Sequence, residues 1–527
     1  MRYALSISAA LLLALVQWHP ASAQPTQQPA PVHKLVSDAV QALGGADALR
    51  NLKSISITGT ATYWEPGQSK VAGKDPKHVE DVKFTMVRDL AGGRARTQWD
   101  RDHKYPDPAL TIKYTETVLP NGGFVTDDKG ANTAMASMRM AAAQRELNRA
   151  SPTLLLKAME NPKDVRSIGN QRIGGQSYRA VSFNDGSVSY TILFDARTKL
   201  PAAIRTLDDD SVQGDQPYDA VLSDWKAVGG VQVAHVLSYR IGGVEVGKVT
   251  YSQVAANPTI AGDAFAVPDA VRSALKAPAT SNVPYQWIIR RLYMSRYMDT
   301  EQPYVPAGVS VKLVELAPNV QHAQGASGNN LIVAMKDHLV VFDAPYGEAL
   351  SRTVIDLAKA KYPGKPIKYL VQTHHHMDHS GGLRAYVAEG ATILVAAPTR
   401  AYFDRALRNP RTVANDTQQK ARKPVRITEV KDQTTLKDDA GNEIRIHNIK
   451  NPHAEGYLLG HVVKDNIVFV TDLISPRGPV TRSEGTLAVG EAFKKYGIKD
   501  ALIAGGHGTT VKQAEIGAAL GVEVSSR

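Results

Sequence analysis

The chain has 527 residues, 43% hydrophobic and 21% charged, and contains no cysteine. That length is too great for one core, so two or three domains are expected, and the missing thiols exclude disulfides and thiolate ligands, so any metal must be held by nitrogen and oxygen. Net charge is +11, yet Lys and Arg are spread without a dense block or a nucleic-acid motif, which argues against nucleic-acid binding and leaves attraction of anionic substrates or a membrane surface open.

The chain opens with a basic Arg2, an apolar core around Ala9 to Val16, and Ala21-Ser22-Ala23 before Gln24. This is the pattern of a secretory signal at residues 1–23, with cleavage near Ala23 and a periplasmic or secreted product. The apolar run is shorter than the roughly 20 residues a transmembrane span needs, and no later stretch qualifies. A Pro- and Gln-rich leader follows at residues 24–33.

A helical pattern runs from Leu35 to Leu52, broken at Gly44-Gly45. Segments such as "SISITGTATYW", "VKFTMVRDL", "SYTILFDART" and "VQVAHVLSYRI" then alternate apolar and polar residues between Gly, Asp and Asn turns, as strands do. A helical insert is expected around Thr133 to Met159. The pattern predicts a curved antiparallel sheet over residues 34–270 with one or two helices against its inner face. The stretch "LGGADALRNLKSISITGTA" and this layout resemble the periplasmic lipoprotein-carrier type of fold, an incomplete β-barrel that holds acyl chains.

Residues 271–304 read as a linker whose "YQWIIRRLYMSRYM" is helical. From residue 305 to 527 strands and helices alternate, "HLVVFDAP", "GEALSRTVIDLAKAKY", "IKYLVQT" and "TILVAAP" among them, which predicts an α/β layer arrangement and makes the whole an α+β two-domain chain.

The strand "IKYLVQT" runs into "THHHMDHSGG", where four of the chain's 15 histidines stand within six residues. The carboxyl end of a strand is where α/β folds place their sites. In extended backbone His374 and His376 share a face and His375 points away, while Asp378 and His379 follow the turn. A metal site needs ligands from more than one loop, and His453 in "NPHAEGYLLGH", Asp472 in "NIVFVTDLISP" and His507 in "LIAGGHGTT" all flank strand-like runs.

The ordered set His374-x-His376-x-Asp378-His379, His453, Asp472 and His507 resembles the metallo-β-lactamase superfamily, which implies an αββα sandwich over residues 305–527 with a dinuclear site at one edge. Asp343 in "VVFDAP" matches that family's buried aspartate. The resemblance implies that His374, His376 and His453 hold one metal, that Asp378, His379 and His507 hold the other, and that Asp472 bridges them; His375 and Met377 fall at variable positions. Two zinc ions per chain are the implied cofactors, and iron or manganese would accept the same ligands. A hydroxide bridging two cations would attack a carbonyl in an ester, lactone, thioester or amide, with Asp378 orienting it and carrying its proton.

An aspartate at position 472 places the site with the branch resembling glyoxalase II, lactonases and alkylsulfatases. Class B β-lactamases usually have cysteine or serine there, so lactam hydrolysis becomes an alternative. Tyr457, Arg477 and His322 are expected to border the site and contact a small-molecule substrate, acylated or anionic. A different class of function stays open: an acyl-chain binding or carrier protein whose metal domain is regulatory or vestigial.

Overall fold

The computed structural model describes residues 32–105, 109–186, 188–279, 310–325 and 328–521. The expected signal segment, almost all of the leader and the helix expected in the linker lie outside the described residues.

The strand Ser54–Glu65 shows why the amino-terminal half is a sheet. Ile55, Ile57, Gly59, Ala61 and Tyr63 are buried while Ser56, Thr58, Thr60, Thr62 and Trp64 are not, the period-two pattern of a strand with one face on a core. Thirteen strands join in one antiparallel sheet running from the edge strand Asn132–Ala134 to the opposite edge Val165–Ile173. Neighbours in sequence are neighbours in the sheet, except that the strand Val244–Ala256 returns to pair with Ser54–Glu65. The chain reaches the far edge through helices Ser137–Arg149 and Leu154–Glu160. The helical insert expected from Thr133 therefore begins later, because Asn132–Ala134 pairs with the strand Gly122–Asp127.

Buried charges fasten the longer helix across the sheet. Arg139 pairs with Glu116 at 2.6 Å and Arg145 with Asp208, while Arg149 donates to the Ile204 and Tyr218 carbonyls. Beneath the helix lie two small cavities of about 40 and 130 Å³ that share Ile57, Arg88, Ala150 and Tyr251 as lining.

The carboxyl-terminal half stacks two sheets. One has seven strands from Val311–Ala317 to Arg426–Val430, and the other has six from Gln433–Lys437 to Thr510–Lys512. Phe342, Leu394, Ile444 and Phe469 form one core between them, with the two phenylalanine rings 5.7 Å apart. A Cβ on Gly460 would lie 2.1 Å from the Phe342 ring, so only glycine lets that ring in. Helix Glu348–Lys361 covers the outside of the first sheet through Leu350, Val354 and Ile355, and helix Glu484–Tyr496 covers the second through Val489, Ala492 and Phe493. The layers run helix, sheet, sheet, helix.

The two halves are joined. Arg411 makes a bidentate pair with Asp209 at 2.6 and 2.7 Å, both side chains at most 3% exposed. The Asn409 amide donates to the Gln213 carbonyl, and the Glu455 N–H to the Lys70 carbonyl at 2.7 Å.

Candidate metal centre

Parallel pairing puts the site residues at one edge. Leu339–Phe342 runs parallel to Ile367–Val371, and Ile467–Val470 to Leu502–Gly505. Their carboxyl ends therefore emerge together, followed by Asp343, by the histidine run from His374, by Asp472 and by His507. Asp343 and Asp472 both adopt left-handed backbone, with φ 60° and 56°, a conformation aspartate tolerates better than most residues. At Asp472 the Leu473 N–H turns back to the Thr471 carbonyl at 2.6 Å, which swings the carboxylate out of the strand direction. Residues held this way cluster at functional sites.

The side chains converge in two groups, His374, His376, His453 and Asp472 on one side, and Asp378, His379, Asp472 and His507 on the other. Within each group the potential ligand atoms lie within 4.8 Å of one another. Asp472 belongs to both. Its Oδ2 lies 3.1 Å from Nε2 of His374, His379 and His453, and its Oδ1 lies 2.9 Å from Nε2 of His507. Ring nitrogens also face each other, His374 and His453 at 3.2 Å and His379 and His507 at 3.0 Å.

The surrounding hydrogen bonds fix which nitrogen each ring turns inward. Asp343 accepts the Thr373 hydroxyl proton at 3.0 Å, so the Thr373 oxygen is left to accept from His374 Nδ1 at 3.1 Å, and His374 Nε2 keeps its lone pair for the cluster. Asp343 also takes the His379 Nδ1 proton at 3.0 Å, which again aims Nε2 inward. His376 is reversed: its Nε2 donates to the Ser69 carbonyl at 3.0 Å, and its buried Nδ1 has no partner. Such outer partners orient ring ligands around a metal. Gln372 ties the loop together by donating to the His374 and His379 carbonyls at 2.7 and 3.0 Å.

Electrostatics divide the cluster. Burial pushes His374 down to about 3 and His376 well below the ordinary histidine value, so both rings are neutral, as ligands must be. Burial also acts against charge on His379 and His507, but the carboxylates of Asp472 and Asp378 outweigh it. His379 is held well above its ordinary value and His507 is pushed up to about 9. Burial opposes ionisation of Asp378 and Asp472 too, yet the facing His379 and His507 hold both well below the usual carboxylate range. Without metal, protons occupy the half of the site that is most negative. The donor set, the shared carboxylate and the unpartnered His376 Nδ1 together fit a pair of divalent cations held by nitrogen and oxygen.

Two of the other expected residues, Tyr457 and His322, are buried and do not line an open wall of the site. Tyr457 is fully buried: its hydroxyl donates to the Thr471 carbonyl at 2.6 Å and accepts the Thr471 N–H at 2.7 Å, and its ring stacks on His374 at 5.6 Å. It supports the ligands and presents no surface to a substrate, because a tyrosine one residue before a wholly buried strand continues into the core. His322 is likewise buried, with Nε2 bonded to the Gly505 carbonyl at 2.9 Å, so it backs the His507 loop instead of lining an open wall. Arg477 is exposed, and its backbone lies against the turn at Gly508. His375 points away from the cluster and donates through Nε2 to the Ser69 carbonyl at 2.8 Å.

Sequence reasoning missed Gln68, Ser69 and Tyr105. Gln68 Nε2 donates to Asp378 Oδ1 at 2.7 Å, and Tyr105 donates to Gln68 Oε1 at 2.6 Å. Pro66-Gly67 after a strand marks a turn, but nothing local to it says where the turn docks. Beside the His453 loop a groove of about 1010 Å³ opens between Lys70 and Val71 on one side and Asn451, Glu455, Lys450 and Lys495 on the other.

Residues 324–520 match the sequence profile of the metallo-beta-lactamase superfamily, and the carboxyl-terminal region is a domain of that superfamily, whose members are usually hydrolases. Sixty-one residues, 12% of this chain, are 36% identical to a linear primary-alkylsulfatase from Pseudomonas sp.. The match spans 9% of that relative's length. Among solved structures, a metallo-beta-lactamase from Pontibacter korlensis aligns over 41% of this chain and 100% of its own, at 16% identity and a TM-score of 0.32. A stereoselective inverting sec-alkylsulfatase from Pseudomonas sp. aligns over 40% of this chain and 41% of its own, at 18% identity and a TM-score of 0.30.

Proposed function

We propose that the chain is an exported hydrolase that uses two metal ions, zinc in the first instance, to cleave an ester, lactone, thioester or amide of a small-molecule substrate. The observation that carries this reading is the pair of four-residue groups that share Asp472. His374, His376 and His453 would hold one ion and Asp378, His379 and His507 the other, with the Asp472 carboxylate common to both. When bound, such ions lower the pKa of water toward neutrality and polarise the bond to be broken.

The chain's own residues do the rest. Thr373 and Asp343 hold His374 and His379 in one orientation, and the Ser69 carbonyl holds His376. Asp378 is an ionised carboxylate whose side chain is 21% exposed, so it can reach the attacking water, take its proton and return it to the leaving atom. The groove beside His453 offers lysines for an anionic group on the substrate. The β-rich residues 34–270 supply the wall opposite the ligand loops and shield the site from bulk water.

The test is a hydrolysis panel on the metal-loaded protein, with aryl esters, lactones, thioesters, a chromogenic cephalosporin and an alkyl sulfate. Turnover of a carbonyl substrate, abolished by Asp472→Ala, is expected. Turnover of the alkyl sulfate alone would move the reaction to sulfate esters, and no turnover by a metal-loaded chain would refute the reading. Export predicts a mature protein beginning at Gln24, read by amino-terminal sequencing after expression with its leader.

A second reading, an acyl-chain carrier, is favoured by one observation. Arg88 is 7% exposed and lines both cavities; its Nη2 donates to the Leu147 carbonyl at 2.8 Å, and it has no carboxylate partner among the described residues. Burial lowers it to about 10. A buried cation beside Ile57, Met86, Trp99 and Tyr251 suits the head of an amphipathic anion. Mass spectrometry of organic extracts from the purified chain should find such a molecule if this reading holds, and extracts free of it would remove its support.

A further inference from the structure

The metal centre is completed by a segment more than 300 residues away in sequence. After the strand Ser54–Glu65 the chain makes a tight turn, in which the Gly67 N–H is held by Glu65 Oε1 at 2.6 Å. A Cβ at Gly67 would lie 2.9 Å from the Met377 sulfur, so glycine lets this turn press directly onto the loop that bears His376 and Asp378. The Ser69 carbonyl then accepts from both His375 and His376 at 2.8 and 3.0 Å, the Gln68 amide donates to Asp378 Oδ1 at 2.7 Å, and the Lys70 carbonyl accepts the Glu455 N–H, two residues past His453.

We infer that residues 65–70 of the amino-terminal sheet are a structural part of the metal centre, with Gln68 as a positioning residue for Asp378 and the Ser69 carbonyl as the group that turns His376 Nδ1 toward the metals. The inference rests on the hydrolase reading above. Its physical content is a division of labour within one carboxylate. Gln68 occupies Oδ1 and leaves Oδ2, which lies 3.6 and 3.7 Å from His379 and His507 Nε2, as the oxygen that would be free to hold a second ion with them. Tyr105 donates to the Gln68 carbonyl oxygen, so the amide cannot flip to present oxygen to Asp378 without losing that bond and placing two acceptors together. The Ser69 carbonyl can only accept, and it therefore fixes the proton on His376 Nε2. A carboxyl-terminal domain without this segment would keep the seven ligand side chains but lack the groups that aim two of them.

The experiment is a cobalt(II) titration of the metal-free full chain followed by visible absorption, with chelator competition for the affinity of each equivalent. The wild type is compared with Gln68→Leu and Tyr105→Phe. In Gln68→Leu the first equivalent should bind as in the wild type, while the second binds about tenfold or more weakly with an altered visible band. Tyr105→Phe should weaken the second equivalent in the same direction by a smaller factor. A second equivalent that binds Gln68→Leu with the wild-type affinity and band would overturn the inference; should that variant fail to fold, Tyr105→Phe decides by the same criterion. A wild-type chain that takes up no cobalt overturns the hydrolase reading itself, an outcome visible before any variant is made.

Discussion

Two regions of the molecule, the amino-terminal sheet and the cluster around Asp472, bury charge in opposite ways. In the amino-terminal sheet, buried charges are paired off, Arg101 with Glu80 at 2.9 Å and Arg139 with Glu116 at 2.6 Å, and they fasten one element to another. Burial pushes Glu80 up to about 7 even with Arg101 beside it. In the carboxyl-terminal half, five imidazoles and two carboxylates are aimed at a common centre, and pairs of ring nitrogens face each other. Pairwise charge holds a fold together, whereas charge converging from several loops on one point calls for a cation. Arg88 is the exception in the sheet, a buried cation with no carboxylate partner among the described residues.

The sharpest way to break this contrast is at the shared carboxylate. Asp472→Ala removes a donor from both groups at once, so metal content should fall well below that of the wild type and turnover by at least about 10³-fold. Arg139→Ala, a buried charge of the other kind, should lower stability in denaturant titrations while leaving metal content intact. Equal effects of the two substitutions on metal content would erase the distinction. The next effect in size lies where the halves meet: Arg411→Ala leaves Asp209 buried and unpaired, at a cost of about 3–5 kcal/mol measured by chemical denaturation.

A smaller effect is expected at Tyr457→Phe, which removes the hydroxyl that both donates to and accepts from Thr471, for a loss of about 1–3 kcal/mol and lower turnover through Asp472. The last prediction concerns pH. In chelator-stripped protein, His379 and His507 have folded values above their unfolded ones, so their contribution is full below the ordinary histidine value and is lost as pH rises through about 9 for His507. His374, held down to about 3, acts in the other direction, and stability falls as pH drops from the ordinary histidine value toward that point. Denaturation of the stripped chain across pH should thus peak near neutrality, and loading with metal should abolish the alkaline loss. A stripped chain that gains stability from pH 7 to 9 would contradict the proton placement.

The contrast also governs what could be read from sequence. His374, His376, Asp378 and His379 are adjacent in the chain and follow an apolar strand, so local geometry brings them together and spacing alone reveals them. His453, Asp472 and His507 are separate, and each became visible only as a histidine or aspartate at the end of a strand-like run. Tyr457 stands four residues after a ligand and so reads as part of the site's mouth, but the strand it precedes carries it into the core. Gln68, Ser69 and Tyr105 left no local mark, since their role depends on how a turn in one sheet docks against a loop in another. The strands of the amino-terminal sheet were legible from period-two burial, but the crossing to its far edge and the lone Arg88 depend on pairings that no local pattern encodes.

The decisive quantity is the number of metal ions the full chain binds. Elemental analysis of the purified protein after incubation with zinc should give about two ions per chain, and fewer in Asp378→Ala, whose missing carboxylate belongs to one group only. A chain that stays metal-free after incubation with zinc, iron and manganese would contradict a metal centre at Asp472 and point instead to the two cavities beneath the helix Ser137–Arg149.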